Sequence, residues 1–208
     1  MRRHNLLAVA AAALAACSSA PVNERPTVSE SDLDQIVAAL KRDFHARGIA
    51  TMARVELDAV QRACNLHGDN PPEAVARPLE EAQLKAIQFP SGSLMGDWKR
   101  GRGIAESGRG MQWNDKPDDV AGGSCYNCHQ LSPQQESHGT LGPSLLGFGK
   151  LRGNSPEIQK YAYGRIYNSK AYTLCSQMPR MGQSGTLAEA QIKDLVAYLL
   201  DPDSPVNK

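Results

Sequence analysis

The chain has 208 residues, enough for one domain with extensions or for two small ones. Its 23 Lys and Arg stand against 22 Asp and Glu, a formal charge of +1, and without Arg2 and Arg3 the balance is 21 against 22. A chain so close to neutral carries no field to draw it onto nucleic acid or an anionic membrane, so no nucleic-acid partner is expected.

The first segment in chain order is "MRRHNLLAVAAAALAACSSAP". Arg2, Arg3 and His4 make a basic start, and Leu6 to Ala16 is an uncharged run of eleven residues. That run is too short to span a bilayer and has the make-up of an export signal. Residues 1–17 are therefore expected to be a signal peptide that directs the protein to a bacterial periplasm. "LAAC", ending at Cys17, has the form of a lipobox. It would make Cys17 a lipid-bearing first residue that anchors the protein to a membrane; ordinary cleavage after Ala15 is the alternative. Residues 18–30 are rich in Ser, Pro and Thr and read as a linker.

Residues 31–93 read as a helical extension. Ser31 is expected to open an amphipathic helix, with Leu33, Ile36, Val37, Leu40 and Phe44 on one face and Gly48 at its end. "VELDAVQRAC" and "PLEEAQLKAI" predict two more short helices, separated by the breaker "GDNPP". These elements hold too few large apolar residues for a core of their own, so they should pack onto the C-terminal part of the chain.

Residues 94–208 form the second unit. "GDWKRGRGIAESG" predicts a helix despite its glycines, and residues 121–154 should be mostly irregular. Ser155 and Pro156 then mark a helix start. "TLAEAQIKDLVAYLL" is the clearest helix. Thr186 is its expected cap, Glu189 completes a capping box, Leu187, Ile192, Leu195, Val196 and Leu199 make its apolar stripe, and Pro202 stops it. No strand pattern is visible. The fold class is all-α with long loops, and a core so poor in large side chains calls for a staple or a cofactor. Trp98, Trp113 and Tyr163 are expected in that core.

The chemistry centres on "GGSCYNCHQ". Cys125-x-x-Cys128-His129 is the pattern of c-type haem attachment. Two thiols three residues apart lie on one side of a turn and can add to the two haem vinyl groups, and the next residue carries its imidazole beneath the iron. Two other readings use the same residues. Cys64-x-x-His67 with Cys125-x-x-Cys128 could supply four zinc ligands, and a thioredoxin-like dithiol would need a βαβ context that the sequence lacks.

An iron held by His129 needs a sixth ligand or an open site. "CSQMPRMG" offers Met178 and Met181, and Met178 is the expected ligand because Pro179 restricts the loop behind it. A carbonyl near Pro143 could accept a hydrogen bond from His129 Nδ1 and fix the ring. Arg165, Lys170 and Arg180 are candidate partners for haem propionates. Cys64 and Cys175 remain, and in an oxidising compartment they are expected to pair; the rival role for Cys175 is a thiolate ligand or a reactive persulfide. His45, His67 and His138 read as solvated.

The segments "GDWKRGRGIAESGRGMQW", "GGSCYNCHQL", "GTLGPSLLGFGKLRG", "YGRIYNSKAYTLCSQMPRMG" and "QIKDLVAYLLDPDSPVNK" together resemble the monohaem SoxX family of the periplasmic Sox sulfur-oxidation cytochromes, over roughly residues 94–208. The resemblance implies a class I cytochrome c domain with one haem c on Cys125 and Cys128 and iron between His129 and Met178. It implies a heterodimer with a SoxA-type cytochrome subunit, the SoxAX complex, an L-cysteine S-thiosulfotransferase that joins thiosulfate oxidatively to a cysteine of the carrier protein SoxYZ. The reactive cysteine would belong to the partner subunit. This chain would take up the electrons, pass them to a soluble acceptor cytochrome and carry no catalytic cysteine of its own. The family pattern has Phe where this chain has Met181.

Overall fold

A computed structural model describes residues 27–208, so the signal segment and Cys17 lie outside the described residues. The described residues form seven α-helices: α1 (Glu30–Asp43), α2 (Ala59–His67), α3 (Glu73–Lys85), α4 (Trp98–Ala105), α5 (Phe148–Arg152), α6 (Pro156–Tyr167) and α7 (Glu189–Leu200). Among them the β-type pairing is a single isolated bridge, Arg47 with Ala50. No helix among the described residues is long and apolar enough to cross a membrane.

The first helix starts and stops earlier than its sequence predicts. Ser29, not Ser31, is the cap: its hydroxyl accepts from Asp32 N at 3.1 Å. The helix closes at Asp43 instead of running to Gly48, because the chain after Phe44 folds back on a distant loop. Ile49 N donates to Trp113 O at 3.3 Å, and the Arg47 guanidinium lies 3.3 Å from the centre of the Trp113 ring. Trp113 is thus a surface residue under an arginine, 44 % exposed, and not a core residue.

Asp58 caps α2 in a reciprocal box with Gln61. Helix α3 begins five residues before the predicted "PLEEAQLKAI" and carries Pro78 inside it. One apolar patch unites these elements with the second unit: Val60 and Cys64 of α2 are buried with Leu174 and Cys175, and Ala76 and Leu79 of α3 pack against them. Asn168, fully buried after α6, reaches α3 by donating from Nδ2 to Gln83 Oε1 at 3.0 Å.

The main core lies between α4, α6 and α7, where Tyr163, Ile166, Ile192, Leu195 and Val196 are buried together. Helices α4 and α7 cross at close range. A Cβ at Gly101 would lie 2.1 Å from the Asp194 carbonyl oxygen, so only glycine permits this approach. Asp194, 5 % exposed, ties the crossing: its carboxylate accepts from Asp97 N at 2.7 Å and from Arg100 Nε and Nη2 at 2.8 and 2.9 Å. Burial alone would raise Asp194, but the Arg100 and Asp97 hydrogen bonds outweigh it and hold the carboxyl below its ordinary value.

Two helix starts differ from the sequence reading. Helix α7 is capped at Ala188 through Gln191, whose Oε1 accepts from Ala188 N at 3.0 Å, while the Thr186 hydroxyl pairs with Ser184 Oγ. Helix α5 sits in the stretch expected to be irregular. Its first N–H groups find an acceptor on the last turn of the chain, with Asn207 Oδ1 bonded to Gly149 N at 2.8 Å and Lys150 N at 3.2 Å.

Candidate functional site

Ser124 adopts a left-handed φ of 50° and turns the chain into a single tight turn, Cys125–Asn127. Cys128 N and His129 N both donate to Cys125 O, at 3.1 and 2.9 Å. This turn brings residues 125, 128 and 129 together on one short arc of backbone. Both thiols are unpaired. Burial pushes the Cys125 thiol up to about 11, and its side chain packs against the α4–α6–α7 core.

A second stretch runs beside this turn and is pinned to it three times. Gly139 N donates to Tyr126 O at 2.9 Å, Gly142 N to Cys128 O at 2.8 Å and Leu145 N to Gln130 O at 2.8 Å. The register brings Pro143 O to 2.7 Å from His129 Nδ1. A carbonyl only accepts, so Nδ1 carries the proton and the lone pair of His129 lies on Nε2. Gly142 lies flat against the ring: a Cβ there would be 2.2 Å from Cε1 and 2.5 Å from Nδ1.

The candidate sulfur ligands come from a later loop. Met178 and Met181 lie in the loop between α6 and α7, and both pack against the same core as Cys125. Met178 N donates to Ser176 Oγ at 3.2 Å, and Met178 O accepts from Ser169 Oγ at 2.5 Å. Met181 O accepts from Leu187 N at 3.0 Å. The loop is tethered to α2 by a disulfide, Cys64–Cys175, with a Cα–Cα distance of 5.5 Å.

Arg165, Lys170 and Arg180, the candidate propionate partners, each have a protein partner. Arg180 forms an ion pair with Asp58, Lys170 donates to Ser176 O at 3.0 Å, and Arg165 donates to Thr173 Oγ1 at 3.0 Å beside the Tyr161 and Tyr172 rings. These cations join the methionine loop to its surroundings. Burial works to raise Asp58, but the Gln61 N–H and the Arg180 guanidinium prevail and hold its carboxyl below the ordinary value. His45, His67 and His138 are exposed.

The zinc alternative loses its ligands. Cys64 is spent in the disulfide, and no cluster of three or more His, Cys, Asp or Glu side chains among the described residues is arranged to hold a metal ion. The dithiol alternative lacks its strands among the same residues. Two unpaired thiols on one turn, an imidazole presenting Nε2 and thioethers on a tethered loop are instead a donor set suited to a covalently held haem. Sequence reasoning missed Ser169, Ser176 and Gly142. "YNSKA" has no motif to flag Ser169, and only the repeated Gly in "GTLGPS" hinted that the backbone there passes close to something.

Residues 117–201 match the cytochrome c family. Over 154 residues the chain is 38 % identical to a protein of Aquifex aeolicus (strain VF5) named an uncharacterized lipoprotein, and the match spans 73 % of each chain.

Proposed function

The chain belongs to the cytochrome c family, and on that premise we propose that it is an exported one-haem electron carrier. In this reading Cys125 and Cys128 would hold haem c by thioether bonds, and His129 and Met178 would be the residues that bind its iron. The observation that carries it is the hydrogen bond from His129, at the end of the Cys125–His129 turn, to Pro143 O in the neighbouring stretch, which orients the ring and leaves the lone pair on Nε2. Bound there, haem supplies a one-electron iron(III)/iron(II) couple. The chain's own work is to fix the imidazole, deliver a soft sulfur from the facing loop and exclude water with the α4–α6–α7 core. With both His129 and Met178 bound to it, the iron would have no position left for a substrate, which would suit electron transfer.

The finer reading is the SoxX-type subunit of a SoxAX complex, with a SoxA-type cytochrome as heterodimer partner, SoxYZ as carrier and a soluble cytochrome as acceptor. The five quoted segments support it by agreeing in order from residue 94 to the end. A second support is chemical. The free cysteines among the described residues are Cys125 and Cys128, both assigned to the haem, so sulfur transfer would fall to a partner's cysteine. The alternative is a stand-alone carrier. The lipobox and the lipoprotein name of the Aquifex aeolicus relative support a periplasmic protein tethered through a lipid on Cys17 in either case.

Purification of the native protein, followed by mass measurement, tests these readings. One covalent haem, an N-terminal lipid on Cys17 and a co-purifying second haem protein are expected. Cys125→Ala or Cys128→Ala leaves a single thioether, and the double variant releases haem into acidified organic solvent. A colourless native chain, or one with stoichiometric zinc, overturns the haem reading; a haem protein that always runs alone overturns the heterodimer.

A further inference from the structure

The Met178 loop is irregular, so the direction of its side chain depends on the two peptide groups flanking its α-carbon. The preceding one is held by the Ser176 hydroxyl, which accepts from Met178 N, while Ser176 O is itself held by Lys170 Nζ. The following one, between Met178 and Pro179, has no N–H, because proline has none. Its carbonyl is the single hydrogen-bonding handle on that peptide, and the Ser169 hydroxyl donates to it.

Ser169 is well placed for this role. It is fully buried at the end of α6, in a short turn, Ser169–Ala171. Its backbone carbonyl accepts from Tyr172 N and Thr173 N at 3.2 Å each and from Arg165 Nη1 at 3.3 Å. The neighbouring Asn168 is also fully buried and anchors the turn to α3. The donor is therefore held in a buried, hydrogen-bonded turn, and the loop it addresses has no regular backbone pattern of its own. We infer that Ser169 is the positioning residue for the Met178 thioether: its hydroxyl fixes the Met178–Pro179 peptide and so aims the sulfur at the iron. This rests on the reading of Met178 as axial ligand.

Ser169→Ala leaves a buried carbonyl without its donor and frees that peptide to rotate. The expected result, on haem-loaded protein, is a weakened methionine–iron(III) charge-transfer band, a lower midpoint potential and imidazole binding to the ferric form roughly three- to tenfold tighter. Ser169→Thr keeps the hydroxyl and should restore the band and bring imidazole affinity within about twofold of the parent. Helical circular dichroism and the intact Cys64–Cys175 bridge should not change in either variant. Should Ser169→Ala lose its helical signal, Ser169→Cys, nearly isosteric but a weak donor, takes its place in the same comparison. Unchanged band, potential and imidazole affinity in the folded variant overturn the inference. The parent reading fails separately: a wild-type protein without the band, or Met178→Ala that retains it, removes Met178 as ligand, whereas a band lost in Met178→Ala but intact in Ser169→Ala removes Ser169 alone.

Discussion

At the scale of single residues, steric contact at the imidazole is the sharpest constraint. Gly142 leaves space for nothing larger than hydrogen between the backbone and the His129 ring, since a Cβ there would lie 2.2 Å from Cε1. Gly142→Ala must displace either the ring or a stretch held by three backbone hydrogen bonds. A loss of about 1–3 kcal/mol in urea denaturation is expected, with a changed absorption spectrum of the haem-loaded protein, since the ring cannot keep both its hydrogen bond and its tilt. The bond between His129 and Pro143 was legible in the sequence, because Pro143 follows the attachment motif at loop distance. The Gly142 contact was not, since it depends on the register by which residues 139–145 run beside the motif. Ser169 was invisible for the same reason: a buried serine has no sequence signature until its acceptor is known.

At the scale of helices, the α4–α7 crossing rests on one buried carboxylate. Asp194→Asn removes the charge and replaces one of the two acceptor oxygens with an NH2 donor, so at least one hydrogen bond from Arg100 is lost even if the amide oxygen keeps Asp97 N, and a loss of about 1.5–3 kcal/mol at neutral pH is expected. The pH dependence follows from the lowered Asp194 value. In the unfolded chain this group titrates near ~3.9, so its contribution is complete above that pH and disappears as pH falls through the lower folded value. The stability difference between wild type and Asp194→Asn in urea melts should therefore be full above about pH 4 and shrink as the pH falls below it. Helices α6 and α7 were legible because Ser155 with Pro156 and the apolar stripe of α7 are strong local signals. Helix ends were legible only to within a few residues. The end of α1 is decided by Trp113 and the start of α5 by Asn207, both far away in sequence, and local patterns carry no information about such partners.

Across the whole molecule, the Cys64–Cys175 bridge couples the extension to the methionine loop. It spans 111 residues, for which the chain-entropy model gives an order of ~4–5 kcal/mol and native proteins commonly show about 2–4. A Cys64→Ala, Cys175→Ala double variant should lose stability in that range in denaturant melts, and reductant should bring wild type to the same level without affecting the variant. The bridge also imposes a sequence of events on the newly made chain. Four cysteines lie among the described residues; Cys64 and Cys175 are joined, and under the proposed haem attachment Cys125 and Cys128 would have to stay reduced until haem is added. Cys125 and Cys128 are neighbours across one turn, so the entropy of ring closure favours the wrong couple over one 111 residues apart. Oxidation that outruns docking of α2 traps the wrong couple, and rescue then needs an electron donor that opens 125–128 while sparing a bridge already shielded by Val60 and Leu174.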